Sequence, residues 1–259
     1  MIRVVLVGAA GRMGRAIEAA AAAAGDVDVA ARVDVRADLS NQGGVWSAEV
    51  SPVLARGDVV VEFSGPRGAR DAAAACVARG AALVSGSTGL DAEDEEALRV
   101  ASRKVAVFRA SNFSVGVAAL RIAVRAALAA VPTTWDVEIV ERHHRLKKDS
   151  PSGTALALAD DIRKARSLPG SVLRHGRQGV AGPRPAAEVG VHAVRGGSLV
   201  GDHLVLLAGE GEWLELRHVA QDRAAFAHGA LAAARFVTTA GPGWYNMEDM
   251  LRAPGRAVR

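Results

Sequence analysis

The chain contains 259 residues, of which 50% are hydrophobic, 23% charged and 4% aromatic, and this content predicts a protein that folds on its own as one large or two small domains. Its apolar runs are short and its single cysteine, Cys76, cannot form an internal disulfide, so we expect a cytoplasmic protein without a signal peptide or membrane span. The net charge of +4 is spread along the chain, aromatic residues are few, and the histidines lack metal-ligand spacing, so we expect small anions as partners and neither nucleic acid nor a metal.

The first strand and the first helix flank a glycine-rich turn. Residues 2–7 form a compact apolar run, Gly8-Ala9-Ala10-Gly11-Arg12-Met13-Gly14 follows, and an alanine-rich helical pattern continues to about residue 24. Glycines let the backbone approach a pyrophosphate, and the helix N-terminus favours its charge. Because the spacing is Gly-x-x-Gly-x-x-Gly, the motif alone is a weak sign of dinucleotide binding.

The second strand strengthens this interpretation. Residues 27–33 alternate as a strand and end at Asp34, twenty residues after Gly14. An acid at this position can bind the ribose hydroxyls of adenosine, which favours NAD, whereas Arg36 can pair with a 2′-phosphate. The cofactor is therefore NADH, NADPH or both, and without the glycine turn Asp34 would read as an ordinary turn residue.

Two further turns follow strands in the first half. Residues 38–57 predict a loop region, after which strands at 58–63, 81–84 and 104–108 alternate with helices at 66–78, from 91, and at 114–130. Gly86-Ser87-Thr88-Gly89 and Ala110-Ser111-Asn112-Phe113 lie at carboxyl ends of strands, the edge where open parallel sheets bind ligands. Ordinary turn chemistry explains each turn alone, and their common position favours a role in cofactor binding.

The pattern changes beyond Pro132, where a strand-like run at 135–140 is followed by a helix to about residue 165 and a Gly/Pro-rich segment at 170–185. Strand-like runs then follow one another at 188–194, 198–207 and 213–219. Such a succession implies an antiparallel or mixed sheet. We therefore predict an α/β protein with a Rossmann-like dinucleotide-binding domain, residues 1–114 and 223–259, to which the final helices at 224–237 and 247–251 return. Residues 115–222 would form an α+β domain for substrate binding and oligomerisation.

The stretch from Glu141 to Ala155 combines bases, an acid and a helix start. His143 and Lys147 can both donate a proton near neutral pH. Carboxylates can bind to the side chains of His144 and Lys147 and to the start of the helix at Ser152, Gly153 and Thr154. A solvated basic loop is the alternative interpretation. Because the same chain also contains the glycine-rich turn, a site for an acidic substrate is the better hypothesis.

The chain resembles the dihydrodipicolinate reductase family. The family signature, an acid followed by His-His-x-x-Lys-x-Asp-x-Pro-Ser-Gly-Thr-Ala, is matched in full between Glu141 and Ala155. Further matching segments lie at residues 8–14, 86–89, 110–116, 195–203 and 226–230, so the resemblance covers nearly the whole chain.

The resemblance implies roles for these residues. His143 would be the catalytic acid/base, Lys147 the proton donor, and His144 with Gly153 and Thr154 the substrate-binding groups. The cofactor would be lined by Gly8 to Met13, Asp34, Gly86 to Thr88 and Ala110 to Phe113. The family reduces a cyclic imine dicarboxylate with NADH or NADPH in lysine and diaminopimelate biosynthesis. It forms homotetramers through the second domain's sheet, and we expect both properties here.

The chain departs from the family pattern in small ways. Ser87 stands where Thr is usual, Ser111 where Ala or Pro is usual, and Glu62-Phe63-Ser64 where Asp-Phe-Thr is common. Two alternatives stay open from the residues alone. One is another Rossmann-fold imine or amino-acid dehydrogenase, such as an aspartate dehydrogenase, which would not explain residues 143–155. The other is a nucleotide-sensing or DNA-binding protein, for which no recognition motif is present.

Overall fold

A computed structural model describes residues 1–35 and 43–253. Its strands are β1 (Ile2–Val7), β2 (Val27–Val33), β3 (Trp46–Ser47), β4 (Val59–Glu62), β5 (Ala82–Ser85), β6 (Ala106–Arg109), β7 (Asp136–His143), β8 (Leu173–Arg174), β9 (Val189–Arg195), β10 (Gly201–Ala208), β11 (Trp213–Ala220) and β12 (Gly243–Tyr245). Its α-helices are α1 (Arg12–Ala24), α2 (Pro66–Arg79), α3 (Ala92–Ser102), α4 (Val115–Ala130), α5 (Gly153–Ala165), α6 (Ala224–Val237) and α7 (Met247–Arg252).

The chain divides into two compact units. One comprises Met1–Val115 and the chain from Arg223 onward, and the other comprises Gly116–Asp222. Within the described residues, no helix combines the length and apolar character needed to cross a membrane.

The first unit is built on a seven-stranded sheet in the order β12-β6-β5-β4-β1-β2-β3, with every pair of neighbours parallel. The central strand β4 is buried at all four positions because helices cover both faces of such a sheet. Helix α1 packs beside α6, and α2 beside α3. The short edge strand β12 begins at Gly243, directly after Gly241 and Pro242.

The second unit contains a mixed five-stranded sheet in the order β11-β10-β7-β9-β8. Strand β7 pairs in parallel with β9 and antiparallel with β10, so the predicted α/β fold with a mixed second sheet is confirmed. Helices α4 and α5 pack on one sheet face through Leu120, Val124, Leu158 and Ile162. The core of this unit therefore lies between one sheet face and two helices.

Strand β7 carries the start of the basic signature. Its buried positions alternate along Asp136–His143, so Glu141 and His143 face the same side as Val137 and Ile139. The sequence pattern predicted a strand only over residues 135–140. That boundary was wrong for His143, since the pleat continues through two buried polar residues where apolar alternation stops.

Candidate active site

A cavity of about 1320 Å³ opens in the first unit around the turn that follows β1. Gly8 begins this turn with φ of +82°, and a Cβ there would lie 2.7 Å from the carbonyl oxygen of Phe63. Only glycine allows this close approach of two backbones. The cavity is bounded by residues from this turn, the end of β2 and the start of α2, including Gly8, Ala10, Gly11, Arg15, Asp34, Ser64, Gly65 and Arg67.

The backbone of Ala10 is held by hydrogen bonds at both its N–H and its carbonyl group. Its N–H donates to Asp34 Oδ2 at 3.0 Å, and its carbonyl oxygen accepts from Arg15 Nε and Nη2 at 3.1 and 2.9 Å. Asp34 therefore shapes the glycine-rich turn in addition to presenting a carboxylate to the cavity. The arrangement fits a dinucleotide, whose phosphates need an open backbone turn and whose ribose needs an acceptor.

The remaining residues predicted from this turn occupy different environments. Ala9 is buried, Arg12 is exposed and Met13 is half-buried. Of the acid and the base predicted to decide the cofactor, Asp34 borders the cavity, whereas Arg36 lies outside the described residues.

The two other predicted cofactor turns follow β5 and β6. Ser87 and Phe113 are buried, Thr88 and Ser111 are exposed, and Ala110 and Asn112 are half-buried. Gly86 packs so closely on Phe63 that a Cβ would lie 2.1 Å from its ring, and Phe113 meets the same ring at a centroid distance of 5.2 Å. Phe63 therefore joins these two turns to the end of β4.

A hydrogen-bonded series in the second unit orients His143. Nδ1 of His143 lies 2.5 Å from Glu141 Oε2, and Arg195 reaches both oxygens of the same carboxylate at 2.7 and 2.8 Å. The backbone N–H of Ser152 donates to Glu141 Oε1 at 2.9 Å. A carboxylate only accepts, so Nδ1 carries the proton, and in the neutral imidazole Nε2 is the unprotonated nitrogen.

The pKa values of this pair follow from burial and charge. Burial lowers the pKa of His143 and outweighs the opposite effect of Glu141. Burial alone would raise the pKa of Glu141, but hydrogen bonds from Arg195, His143 and Ser152 reverse it, and the pKa is lowered. Glu141 is therefore ionised and His143 is neutral at neutral pH, so the imidazole can exchange a proton with a reactant.

A second buried histidine borders the first. The rings of His143 and His203 meet edge to face at 5.1 Å, and His203 Nε2 lies 3.2 Å from the hydroxyl of Ser152. Burial lowers the pKa of His203 to about 4, with a further contribution from the charge of His143. Because Nδ1 of His203 has no hydrogen-bond partner among the described residues, a second proton on this ring would be poorly compensated.

His203 should give the stability of the protein a recognisable pH dependence. Its pKa is about 4 in the folded state against about 6.5 in an unfolded chain, so its contribution is complete above pH 6.5 and is lost towards pH 4. We expect His203→Asn to remove a slope worth about 3 kcal/mol across this window in denaturant unfolding.

The control for this prediction is His228→Asn, since His228 is exposed on α6. This variant should keep the wild-type slope. His143 and His218, whose pKa values are also lowered by burial, and the carboxyls of Glu138 and Asp202, whose pKa values are lowered to about 2, contribute to the wild-type slope in part of this window. The quantity that reports on His203 is therefore the difference in slope between wild type and His203→Asn. An unchanged slope in His203→Asn would show that His203 is not the group responsible.

The loop beyond His143 is tied to the same residues. Lys147 Nζ lies 2.9 Å from Asp149 Oδ2, and Arg195 Nη2 donates to the carbonyl of Asp149 at 2.7 Å. His144 is half-buried, and its carbonyl accepts from the N–H of Lys147. Arg195 therefore connects the carboxylate behind His143 to the loop that carries the predicted proton donor.

Helix α5 starts beside this loop. Ser152 is its N-cap, buried, and accepts from the N–H of Ala155 at 3.2 Å. Gly153 is exposed and Thr154 is half-buried in the first turn. The predicted catalytic and substrate-binding residues of the signature are thus assembled within one unit. Within the described part of the chain, no group of three His, Cys, Asp or Glu residues is placed to hold a metal ion.

Sequence reasoning assigned no role to Glu141, Arg195 or His203, which appeared only as parts of the family resemblance. Arg195 is 52 residues from His143 in the chain, and the pairing of β7 with β9 makes them neighbours. The signal that could have found them is the position of buried polar residues inside strands, since such residues require partners.

Comparison with known proteins agrees with the geometry of both units. Profiles described as the N-terminus and the C-terminus of dihydrodipicolinate reductase match residues 2–113 and 116–251. The chain belongs to the dihydrodipicolinate reductase family. The 4-hydroxy-tetrahydrodipicolinate reductase of Caulobacter vibrioides is 41% identical over 253 residues, covering 96% of this chain and 97% of the relative. That of Thermomicrobium roseum is 42% identical over 259 residues, covering 97% and 100%.

Solved structures agree in fold. Dipicolinate-bound dihydrodipicolinate reductase from Paenisporosarcina sp. TG-14 superposes with a TM-score of 0.76 at 24% identity, covering 95% of this chain and 97% of that chain. An aspartate dehydrogenase from Thermotoga maritima reaches 0.50 at 15% identity, covering 91% and 96%. The family and the enzyme class predicted from the sequence, a nicotinamide-dependent reductase of the dihydrodipicolinate reductase family, are confirmed.

Proposed function

We propose that this chain catalyses the reduction of 4-hydroxy-tetrahydrodipicolinate, or of dihydrodipicolinate derived from it, to tetrahydrodipicolinate in lysine and diaminopimelate biosynthesis. The observation that carries the proposal is the series Arg195, Glu141 and His143. It holds a neutral imidazole with a defined tautomer next to a basic loop and a helix N-terminus.

In this proposal, different residues of the second unit bind the substrate and exchange protons with it. The carboxylates of the substrate bind His144 and the first-turn N–H groups of α5 at Gly153 and Thr154, where the helix dipole favours negative charge. Ser152, whose hydroxyl caps this helix, contributes by fixing its first turn. His143 and Lys147 exchange protons with the reacting substrate, with Lys147 as the donor and His143 as acid/base.

The cofactor we propose is NADH or NADPH, bound in the cavity of the first unit. It supplies the hydride when bound. The chain would hold it through Gly8 to Met13, Asp34, Gly86 to Thr88 and Ala110 to Phe113, with Arg36 available for a 2′-phosphate. The fixed peptide of Ala10 and the open glycine turn support this assignment.

The direct test is oxidation of the reduced cofactor by purified protein supplied with the product of dihydrodipicolinate synthase. We expect turnover with at least one of NADH and NADPH, and no turnover with aspartate and NAD⁺. A protein that oxidises neither cofactor under these conditions lacks the proposed activity.

Asp34 should set the balance between the two cofactors. In Asp34→Asn the amide oxygen still accepts from the N–H of Ala10, so the glycine turn is kept while the charge that repels a 2′-phosphate is removed. We expect the ratio of kcat/KM for NADH to that for NADPH to fall about tenfold. Asp28→Asn, a matched change at an exposed position of β2, should leave the ratio unchanged. An unchanged ratio in Asp34→Asn would assign the selection to other residues.

We further propose a cytoplasmic homotetramer assembled through the second sheet. The sheet face opposite α4 and α5 carries exposed apolar residues, namely Val194, Trp213 and Val219, which are 45%, 69% and 49% exposed. Burying such residues against another copy would be favourable. Light scattering after gel filtration should report four times the monomer mass, and a monomer would contradict this proposal.

A further inference from the structure

Glu62 at the end of β4 has a completely buried side chain whose carboxylate is a hydrogen-bond centre. Oε1 accepts from the N–H and the hydroxyl of Ser64 at 2.6 and 2.7 Å, from the N–H of Gly65 at 3.4 Å, and from the hydroxyl of Ser87. Oε2 accepts from the hydroxyl of Ser85 at 2.8 Å. All of these donors are neutral groups. Among the described residues, the cost of burying the Glu62 carboxylate is therefore offset by hydrogen bonds and not by a cation.

These bonds join two segments that are distant in sequence. Ser87 donates to Glu62 and accepts from the N–H of Gly65 at 2.7 Å, so it bridges the turn after β5 to the turn after β4. Gly65 has φ of +140°, a conformation that side chains disfavour, and is the N-cap of α2. Ser64 and Gly65 border the large cavity, whereas Glu62 lies behind them.

We infer that Glu62 is a positioning residue for the nicotinamide cofactor, acting through Ser64, Gly65 and Ser87. Its Oε1 atom holds the two turns in one arrangement before the cofactor arrives, so binding does not have to order them. The role is geometric, because a single oxygen takes the bonds to both turns. This inference rests on the proposed cofactor, and it adds a residue that touches neither cavity nor reactant.

Two substitutions at Glu62 separate geometry from charge. In Glu62→Gln the amide oxygen can replace Oε1, and the amide nitrogen can donate to Ser85, whose hydroxyl can rotate to accept. Glu62→Leu removes every acceptor at this position, which leaves the N–H of Ser64 without its partner and the N–H of Gly65 with Ser87 alone. We expect the dissociation constant for NADH, measured by fluorescence titration without substrate, to rise about tenfold in the Leu variant and at most about threefold in the Gln variant.

The kinetic signature should match the binding result. When the NADH concentration is varied, the KM for NADH should change more than kcat in Glu62→Leu. The positioned turns bind the cofactor and do not exchange protons. Equal dissociation constants for wild type and Glu62→Leu would overturn the inference. Equal losses in Gln and Leu would also overturn it, because the charge and not the hydrogen-bond geometry would then be responsible.

Two serines provide a matched pair of variants, which remains informative if Glu62→Leu fails to fold. Ser87→Ala removes the bridge to Gly65, and Ser85→Ala removes one bond to the same carboxylate without touching either turn. We expect Ser87→Ala to weaken NADH binding about five-fold or more and Ser85→Ala to change it less than about twofold. Equal effects of the two changes would contradict the inference.

A double variant distinguishes positioning from direct contact of Ser87 with the cofactor. If Ser87 acts through Glu62, the effects of Ser87→Ala and Glu62→Leu will not add, whereas a direct contact gives additive effects and contradicts the inference. These are binding measurements, so they remain valid if wild-type protein binds NADH and fails to reduce the dicarboxylate. That outcome would reject the proposed function alone.

Discussion

His143→Gln should lower kcat by about 10²–10⁴-fold while leaving the KM for the dicarboxylate within a few-fold of wild type. Glutamine is polar and of similar length, but its amide neither gives nor takes a proton near neutral pH. Because Glu141, Arg195 and the start of α5 remain, the binding groups should keep their positions. Steady-state kinetics at several substrate concentrations separate the two constants.

His228→Gln is the matched control for this prediction, since His228 is exposed on α6 and has no proposed role. Its kcat should equal that of wild type. If His143→Gln retained full turnover while Lys147→Gln lost it, proton exchange would belong to Lys147 alone. A rise in KM with an unchanged kcat would instead place His143 among the binding groups.

Arg195→Met should lower the free energy of unfolding by about 3–5 kcal/mol, because it leaves the fully buried Glu141 carboxylate without its cation. The change also removes the bond to the carbonyl of Asp149, which holds the loop of Lys147. Denaturant unfolding of wild type and variant measures the loss, and kcat should fall in the same protein at temperatures where it stays folded.

Two further variants interpret that loss. Lys164→Met breaks an ion pair on the exposed surface of α5 and should cost no more than about 1 kcal/mol. Arg195→Met combined with Glu141→Gln removes both charges, so most of the stability should return while activity stays low, since His143 has lost its ionised partner. A double variant as unstable as the single one would show that packing of the Arg195 side chain, and not the buried charge, is responsible.

The alternation of strands and helices in the first unit was predictable because each central strand is an apolar run and each helix has a clear start. Asp91 with Asp94 forms such a start in α3, where each side chain accepts from the other's backbone N–H. The edge strands β3, β8 and β12, of two or three residues, were not predictable, since strands this short depend on pairing with a neighbour.

The signature residues were predictable as a group, and their partners were not. The series from Arg195 to His143 exists because β9 lies beside β7, a fact of sheet register that spacing in the chain does not carry. Glu62, Ser64 and Ser87 stood out only as separate small departures from the family pattern. In the structure all three belong to one hydrogen-bonded cluster, so the differences from the family pattern at these positions lie in contact with one another.

The place of β7 in the middle of its sheet should give His143 and Lys147, the two residues proposed to exchange protons, different mobility. Strand β7 is bonded to β9 on one side and β10 on the other, so its amides should be among the slowest in the second unit to exchange with deuterium. His143 is the last residue of that strand, whereas Lys147 lies four residues further on in a loop. With the proposed roles, a movement of the loop would displace the ammonium group of Lys147 while His143 and Glu141 stay in place on the strand.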